Sequence, residues 1–204
     1  MELLNQTGSL PLSECFYSLQ GEGCHSGKAA FFIRLGGCDV CCDFCDSKSA
    51  WNVKRSTYTP VEKIVDRVLE TAADTVIVTG GEPTIHNLEF LCRLLKENGK
   101  ACFLETAGNH HITGEWDWIC LSPKLNSPPL VENLQRANEL KAVIKHPADL
   151  EWAEENAALT ANCLLFLQPE WSVHEKITPC IIEYIKQNTQ WILSLQMHKY
   201  IGID

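Results

Sequence analysis

The stretch GGCDVCCDFCD, residues 36–46, places four of the chain's 11 cysteines within eight consecutive positions. These cysteines, Cys38, Cys41, Cys42 and Cys45, can be grouped in two ways. Two adjacent C-x2-C pairs would indicate a zinc or redox site. A C-x3-C-x2-C pattern of Cys38, Cys42 and Cys45 would instead indicate three ligands of an iron–sulfur cluster.

The zinc interpretation conflicts with the spacing of the four cysteines. A structural zinc ion takes four ligands in a tetrahedron, and its two C-x2-C pairs are usually well separated along the chain. Here Cys41 and Cys42 are neighbours, so their side chains tend to diverge, and closing both onto one ion would strain the loop. Three thiolates on a four-iron cluster would leave one iron without a protein ligand, and a substrate or cofactor could bind there. The spacing favours this second interpretation.

Around the cysteines, short apolar runs alternate with helical patterns. Apolar residues recur along 59–73 at intervals of three and four, which predicts a helix with Thr59 as its N-cap and Pro60 at its first position. A second helix is expected over 88–95, ended by Gly99. Two more are expected over 148–159 and 177–187. The strand-like runs are residues 29–35, 75–78, 101–104, 118–121, 140–144, 164–167 and 192–195.

Alternating strands and helices predict an α/β fold with a mainly parallel sheet and right-handed crossovers. The sequence shows no internal repeat and no flexible linker, so we expect a single domain over residues 1–204. Two arrangements fit this pattern, an open doubly wound sheet and a barrel. In either one, the active site lies at the carboxyl ends of the strands, and the cysteine loop directly follows the strand at 29–35.

Composition limits the class of function. The chain carries 26 acidic and 17 basic residues, a net charge of −9, and no basic stripe, which argues against nucleic acid as a direct substrate. A small-molecule substrate is expected. The N-terminus lacks the features of a signal peptide, and the apolar runs are too short to cross a bilayer, so a soluble cytoplasmic protein is expected. An odd number of cysteines in such a protein argues against a disulfide framework.

A glycine pair follows the second of these strands, in VTGGEP at residues 78–83. It has a simple interpretation as a strand-to-helix turn, since Gly80 and Gly81 allow unusual dihedral angles. Alternatively, a main chain without side chains could approach a bound ligand and offer its polar groups to it. The cysteine loop nearby favours the second interpretation.

The C-x3-C-x2-C spacing, with Phe44 before the third cysteine, resembles the cluster motif of the radical S-adenosylmethionine (SAM) enzymes. In that family the open iron of a 4Fe-4S cluster chelates SAM, and an electron from the cluster cleaves SAM to an adenosyl radical. Further motifs resemble one branch of it, the 7-carboxy-7-deazaguanine synthase family of queuosine biosynthesis. They are FYSLQGEG (16–23), FIRLGGC (32–38), CDFCDSKSAW (42–51), TGGEP (79–83), LETAGN (104–109), ICLSPK (119–124), NELKAVI (138–144), FLQP (166–169) and SLQMHKY (194–200).

This resemblance implies a specific reaction. The family's substrate is 6-carboxy-5,6,7,8-tetrahydropterin, from which hydrogen is abstracted at C6. The ring then contracts and ammonia leaves, giving 7-carboxy-7-deazaguanine, while SAM is regenerated. Mg2+ assists the reaction, and flavodoxin or ferredoxin is the expected electron donor. The family fold is a shortened (β/α) partial TIM-like barrel that often forms a homodimer.

The resemblance also implies roles for individual residues. Arg34 matches the arginine that binds the substrate carboxylate, although a surface ion pair is the simpler interpretation. Ser47 matches the Mg2+ ligand, usually a threonine, or else it is a capping hydroxyl. The other implied substrate contacts are Leu19, Gln20, Gly21, Glu22, Thr79 and Asp204, of which Glu22 could instead close a turn. The implied SAM contacts are Phe44, Cys45, Asp46, Gly81, Ser122, Pro123, Lys124, Gln168, Pro169, Glu170 and Trp171.

Two residues depart from the family pattern, and the last residue follows it. Ala107 stands where the family has asparagine, so a contact from that side chain is in doubt, and Cys41 is an extra thiol beside the expected ligands. Asp204 falls at the spacing of the family's final residue, whose carboxylate reaches the substrate, so extending the chain there is expected to weaken substrate binding.

Two other functions stay open: an activase that makes a glycyl radical on a partner protein, and a non-catalytic zinc scaffold.

Overall fold

Nine strands form one sheet in the computed structural model, which describes residues 8–53 and 57–203. Seven of them are parallel and occupy the sheet in the order in which they occur along the chain. The strands are β1 (Ser9–Leu19), β2 (Ala29–Leu35), β3 (Tyr58–Pro60), β4 (Thr75–Gly80), β5 (Ala101–Thr106), β6 (Trp118–Leu121), β7 (Glu139–Ile144), β8 (Leu164–Pro169) and β9 (Trp191–Leu193).

The strand order β3-β1-β2-β4-β5-β6-β7-β8-β9 decides between the two expected arrangements. A doubly wound sheet reverses its strand order at a switch point. Here each parallel strand lies beside the one before it, from β2 to β9, as in a (β/α) barrel. Within the described residues the edge strands β3 and β9 do not pair with each other, so the barrel is open. The predicted partial barrel is therefore confirmed.

The helices are α1 (Val61–Leu69), α2 (Glu89–Glu97), α3 (Val131–Arg136), α4 (Asp149–Ala157), α5 (His174–Gln187) and α6 (Met197–Ile201). In α1 the residues Val61, Ile64, Val65 and Val68 are buried, as their spacing predicted. The predicted cap is wrong: Pro60 occupies the N-cap, and Thr59 belongs to β3. None of the described helices has both the length and the apolar character required to cross a lipid bilayer.

The sequence did not predict β1, β3, α3 and α6. Strand β1 pairs antiparallel with β2, with Cys15 opposite Ile33, and lies near the edge of the sheet. Its residues are only partly buried, so its sequence lacks the continuous apolar run by which the central strands were found. Helices α3 and α6 have six and five residues, which is too short for an apolar period to be evident.

The hydrophobic core lies between the sheet and the outer helices. In β2 the side chains of Phe31, Ile33 and Leu35 belong to this core, so the alternate side chains of Phe32 and Arg34 face the inside of the barrel. Phe32 packs there with Ala30 and Ile77. Apolar residues thus fill one end of the barrel interior, and Arg34 lies nearer the end where the parallel strands finish.

Candidate active site

Two adjoining chambers open at the carboxyl ends of the parallel strands. The first, which we call the cofactor chamber, contains the cysteine loop, and the second, the substrate chamber, extends toward β1 and α6. They share one wall, so groups bound in the two chambers would lie next to each other. The residues that line both are Glu22, Cys45, Asp46, Thr79, Glu105 and Lys199.

The cysteine loop separates its four thiols by position. Cys38, Cys42 and Cys45 line the cofactor chamber. Cys41 is exposed, has a left-handed backbone with φ of 50°, and donates from its Sγ to the carbonyl oxygen of Cys38 at 3.4 Å. The loop conformation therefore presents the C-x3-C-x2-C set to one cavity and turns the fourth thiol away from it.

The donor chemistry of this loop fits an iron–sulfur cluster. The Sγ of Cys45 accepts hydrogen bonds from the indole Nε1 of Trp51 at 3.3 Å and from the backbone N–H of Ser47 at 3.4 Å. Such bonds to cysteine sulfur tune the potential of iron–sulfur clusters. Across residues 8–53 and 57–203, no three His, Cys, Asp or Glu side chains are grouped closely enough for a single metal ion.

Contacts from three neighbouring loops hold the cysteine loop in place. Asp39 accepts from the His110 ring at 2.7 Å, and Asp43 accepts from Lys145 at 2.7 Å. The side-chain amide of Asn126 donates to the Val40 carbonyl at 2.9 Å. Because the ion pairs are largely exposed, each contributes modestly, and the loop is positioned by their number rather than by any one of them.

The glycine pair after β4 brings the main chain against the cysteine loop. A Cβ on Gly81 would lie 2.1 Å from the Gly37 carbonyl oxygen and 2.8 Å from the Cβ of Cys38. Glu82, which is buried, accepts from the hydroxyls of Thr84 and Thr106 at 2.5 Å each and from the Ala107 N–H at 2.8 Å. Gly81 lines the cofactor chamber together with Thr79 and Glu82 of the same motif.

Most residues predicted to contact SAM surround the cofactor chamber. Lys124 is among them, and its Nζ donates to the Ser122 hydroxyl at 2.7 Å; burial lowers the pKa of this ammonium. Pro123 and Pro169 are not among the lining residues in the described part of the chain. The predicted residues that line the chamber are Phe44, Cys45, Asp46, Gly81, Ser122, Lys124, Gln168, Glu170 and Trp171.

The substrate chamber collects the second predicted set. Six of the predicted substrate contacts line it: Leu19, Gln20, Gly21, Glu22, Arg34 and Thr79. Gly21 is required sterically, because a Cβ there would lie 2.3 Å from the His198 ring nitrogen of α6. The seventh, Asp204, lies outside the described residues, whereas its neighbour Ile203 lines the chamber.

Arg34 makes a surface ion pair and also lines the substrate chamber. Its Nε donates to Glu14 at 2.6 Å, which is the surface ion pair of the simpler interpretation. Its Nη1 donates to the Ser47 hydroxyl at 2.9 Å inside the substrate chamber. Ser47 in turn donates to Asp46 at 3.2 Å. The guanidinium is therefore held in place at the chamber wall, beside the hydroxyl predicted to bind Mg2+.

A buried charged group of the cofactor chamber, behind the shared wall, was not predicted from the sequence. The Nζ of Lys141, on β7, contacts Glu22 Oε2 at 2.5 Å and Glu105 Oε2 at 3.6 Å. Burial alone would raise the pKa of Glu22, but the charge of Lys141 and hydrogen bonds to the carboxylate lower it to about 2. A sequence signal existed, since a lysine inside the strand sequence ELKAVI is unusual for a buried parallel strand.

The chain's last described segment covers this wall. The N–H of Met197, the first residue of α6, donates to the Gly21 carbonyl at 2.8 Å. Lys199 pairs with Asp46 at 3.2 Å, and Gln196 donates to Glu22 at 2.9 Å. Helix α6 and the preceding Gln196 therefore contact the wall between the two chambers. The short sequence of α6 did not indicate these contacts.

Comparisons with known proteins agree with this geometry. The model of the Radical SAM superfamily matches residues 32–146. A 7-carboxy-7-deazaguanine synthase of Flavobacterium psychrophilum is 47% identical over 95% of this chain and 92% of its own, and that of Escherichia coli K12 is 34% identical over 95% and 98%. The crystal structure of QueE from Escherichia coli superposes with a TM-score of 0.84 at 32% identity, covering 97% of this chain and 98% of the other.

Proposed function

The chain belongs to the radical SAM superfamily and, within it, to the 7-carboxy-7-deazaguanine synthase family of enzymes, and from this we propose that it converts 6-carboxy-5,6,7,8-tetrahydropterin to 7-carboxy-7-deazaguanine. One ammonia leaves, and the substrate minus ammonia has the composition of the product. No external oxidant is therefore consumed. The observation that carries the proposal is the shared wall, which would place a radical source beside a polar substrate chamber.

The cofactor chamber fits a 4Fe-4S cluster and SAM, the cofactors that the superfamily implies. When bound, they supply the radical that abstracts hydrogen from C6 of the substrate. We propose that Cys38, Cys42 and Cys45 hold the cluster and that one iron stays open for SAM. The polar groups that line this chamber would orient SAM, together with the main chain at Gly81.

In the substrate chamber we propose that the residues identified from the sequence bind the pterin. The Arg34 guanidinium would pair with the substrate carboxylate, because its planar fork of donors matches two carboxylate oxygens. Leu19, Gln20 and Gly21 would contact the ring, with Glu22 and Thr79 on the shared wall. Asp204 would complete the site, since Ile203 already lines the chamber.

We propose that Mg2+ binds at Ser47. The hydroxyl lines the substrate chamber and is 3.2 Å from Asp46 Oδ1, so two hard oxygen donors are adjacent. Mg2+ prefers such donors and usually keeps several waters. The substrate carboxylate bound by Arg34 would then lie within reach of the same ion, because Arg34 donates to Ser47.

Partners and pathway follow from the same proposal. A radical SAM enzyme that acts on a small molecule needs a reductant, and we propose a flavodoxin or ferredoxin for this role. We further propose a cytoplasmic homodimer whose product enters queuosine biosynthesis and so tRNA modification. Nucleic acid would not be bound directly, in line with the net charge of −9.

An anaerobic assay tests the reaction. The reconstituted protein is incubated with SAM, dithionite, Mg2+ and the pterin, and the products are identified by mass spectrometry. We expect 7-carboxy-7-deazaguanine together with ammonia. If only 5'-deoxyadenosine formed, the radical chemistry would stand and the proposed substrate would be wrong.

A further inference from the structure

Lys141 is a buried ammonium on the inner face of the barrel. Its side chain is 4% exposed, and its neighbours Leu140 and Ala142 in β7 point into the outer core. Burying an ammonium is costly unless the charge is paired. Lys141 lines the cofactor chamber, where its two carboxylate partners are Glu22 and Glu105. Packing alone therefore does not explain a lysine at this position.

The two carboxylates come from different elements and line both chambers. Glu22 follows β1, and Glu105 lies on β5. Each is also held by a neutral amide: Gln196 donates to Glu22 at 2.9 Å, and Gln20 donates to Glu105 at 2.5 Å. Both acids therefore face the substrate chamber, with the ammonium behind them on the cofactor side.

We propose that Lys141 is a positioning residue for substrate binding, which acts by holding Glu22 and Glu105 together as ionised acceptors on the wall between the chambers. This inference rests on the proposed function, in which the substrate is the pterin. The two carboxylates would accept hydrogen bonds from the N–H groups of that pterin. Lys141 itself makes no contact with the substrate chamber in this arrangement. Its effect on the substrate passes through the two acids.

The electrostatic environment supports this role. Two carboxylates close together resist ionising both, and an ammonium between them removes that conflict. Burial would lower the pKa of Lys141, but the negative groups around it raise that pKa well above its usual value. The titratable groups that face Lys141 from the elements around it are Cys120 on β6, Glu105 on β5, Glu139 on β7, Glu22 after β1 and Lys124 after β6.

The test compares the pH dependence of the KM for the pterin in three reconstituted enzymes. Lys141→Met removes the charge, Lys141→Arg keeps it, and Lys96→Met removes a lysine that pairs with Asp117 at 3.0 Å on the outer surface. In Lys141→Met a buried carboxyl will hold a proton at neutral pH, so we expect the KM to rise at least tenfold there. The KM should fall toward the parent value as the pH is raised, because that carboxyl then ionises.

A merely structural role would not produce this pattern. Lost packing would lower stability and activity at every pH. The proposal instead predicts that the KM for the pterin rises in Lys141→Met and returns toward the parent value at alkaline pH. It also predicts a much smaller rise in Lys141→Arg. Lys96→Met should match the parent at each pH. An isothermal titration of the pterin onto each enzyme, with SAM bound and no reductant, gives the same comparison without turnover.

The possible outcomes are distinct. A folded Lys141→Met enzyme whose KM equals that of the parent, or is raised equally at all pH values, would overturn the role of Lys141. If Lys141→Met does not fold, Lys141→Gln replaces it, and failure of both to fold would assign Lys141 to the core and also overturn the proposal. If the unaltered enzyme and Lys96→Met make no product, the proposed function itself fails.

Discussion

The indole Nε1 of Trp51 donates a hydrogen bond to the Sγ of Cys45 at 3.3 Å. Trp51 directly follows the short helical turn Lys48–Ala50, so the cysteine loop and its hydrogen-bond donor form one local unit. The same unit contributes the backbone N–H of Ser47 to the same sulfur. Two hydrogen bonds withdraw negative charge from the thiolate sulfur. They therefore change the reduction potential of a cluster bound to that sulfur.

Trp51→Phe should therefore lower the reduction potential of the cluster. Hydrogen bonds to sulfur stabilise the more negative, reduced state, and one such bond of about 1 kcal/mol corresponds to about 40 mV for one electron. The measurement is a redox titration followed by electron paramagnetic resonance. Trp152→Phe, which removes an indole packed against the outer core, is the matched control and should leave the potential unchanged. An unchanged potential in Trp51→Phe would exclude this tuning.

Replacing the adjacent cysteines separately should give opposite results. Cys41→Ala removes an exposed thiol that does not line the cofactor chamber, so the iron content and brown colour should equal those of the parent. Cys42→Ala removes a thiol that does line it and should lose the cluster. Iron analysis and the visible spectrum after anaerobic reconstitution measure both. The reverse result would contradict the C-x3-C-x2-C assignment.

Gly81→Ala should disrupt the cofactor chamber by steric conflict alone. The added Cβ would lie 2.1 Å from the Gly37 carbonyl oxygen and 2.8 Å from the Cβ of Cys38, so the two segments would have to separate. We expect SAM binding to weaken at least tenfold, measured by equilibrium dialysis of the reconstituted protein. Gly27→Ala is the control: it meets nothing within 4 Å, and its φ of 85° costs about 1 kcal/mol of stability without touching the chamber.

Ser47→Ala should abolish the stimulation of activity by Mg2+. The change removes one of two adjacent oxygen donors in the substrate chamber, and it also removes the acceptor for Arg34. Ser47→Thr keeps the hydroxyl and should retain the stimulation. The measurement is initial rate against Mg2+ concentration for each variant. Equal Mg2+ dependence in the parent and in Ser47→Ala would place the ion elsewhere.

Acid should weaken the fold through Glu22. The pKa of this carboxyl is lowered to about 2 in the folded state, below the ordinary glutamate value, so its ionised form stabilises the fold above the ordinary value. That stability, about 3 kcal/mol, should be lost as the pH falls through the window between the two values. Urea unfolding of the parent and Glu22→Gln across this range measures it. The two should differ most at neutral pH and converge at low pH; a constant difference would contradict the shift.

The central part of the fold follows from local patterns. The runs at 29–35, 75–78 and 101–104 are buried parallel strands with continuous apolar sequences, and α1 has a regular apolar face, so both kinds of element are evident without the structure. Strand β1, next to the sheet edge, and the short helix α6 lack such patterns, because their conformation depends on neighbouring elements. Both carry site residues, so the parts that were hardest to predict matter for function.

The sequence by itself determined the cluster motif, the glycine turn and the alternation of strands and helices, because each depends on residues that are close along the chain. Only the tertiary structure showed the order of the nine strands and the contact that holds the Cys41 thiol, from its Sγ to the Cys38 carbonyl oxygen. It also brought Lys141 to Glu22 and Glu105, which lie 119 and 36 positions earlier. Such contacts depend on the register of parallel strands and on the closure of the sheet, and no local pattern records them.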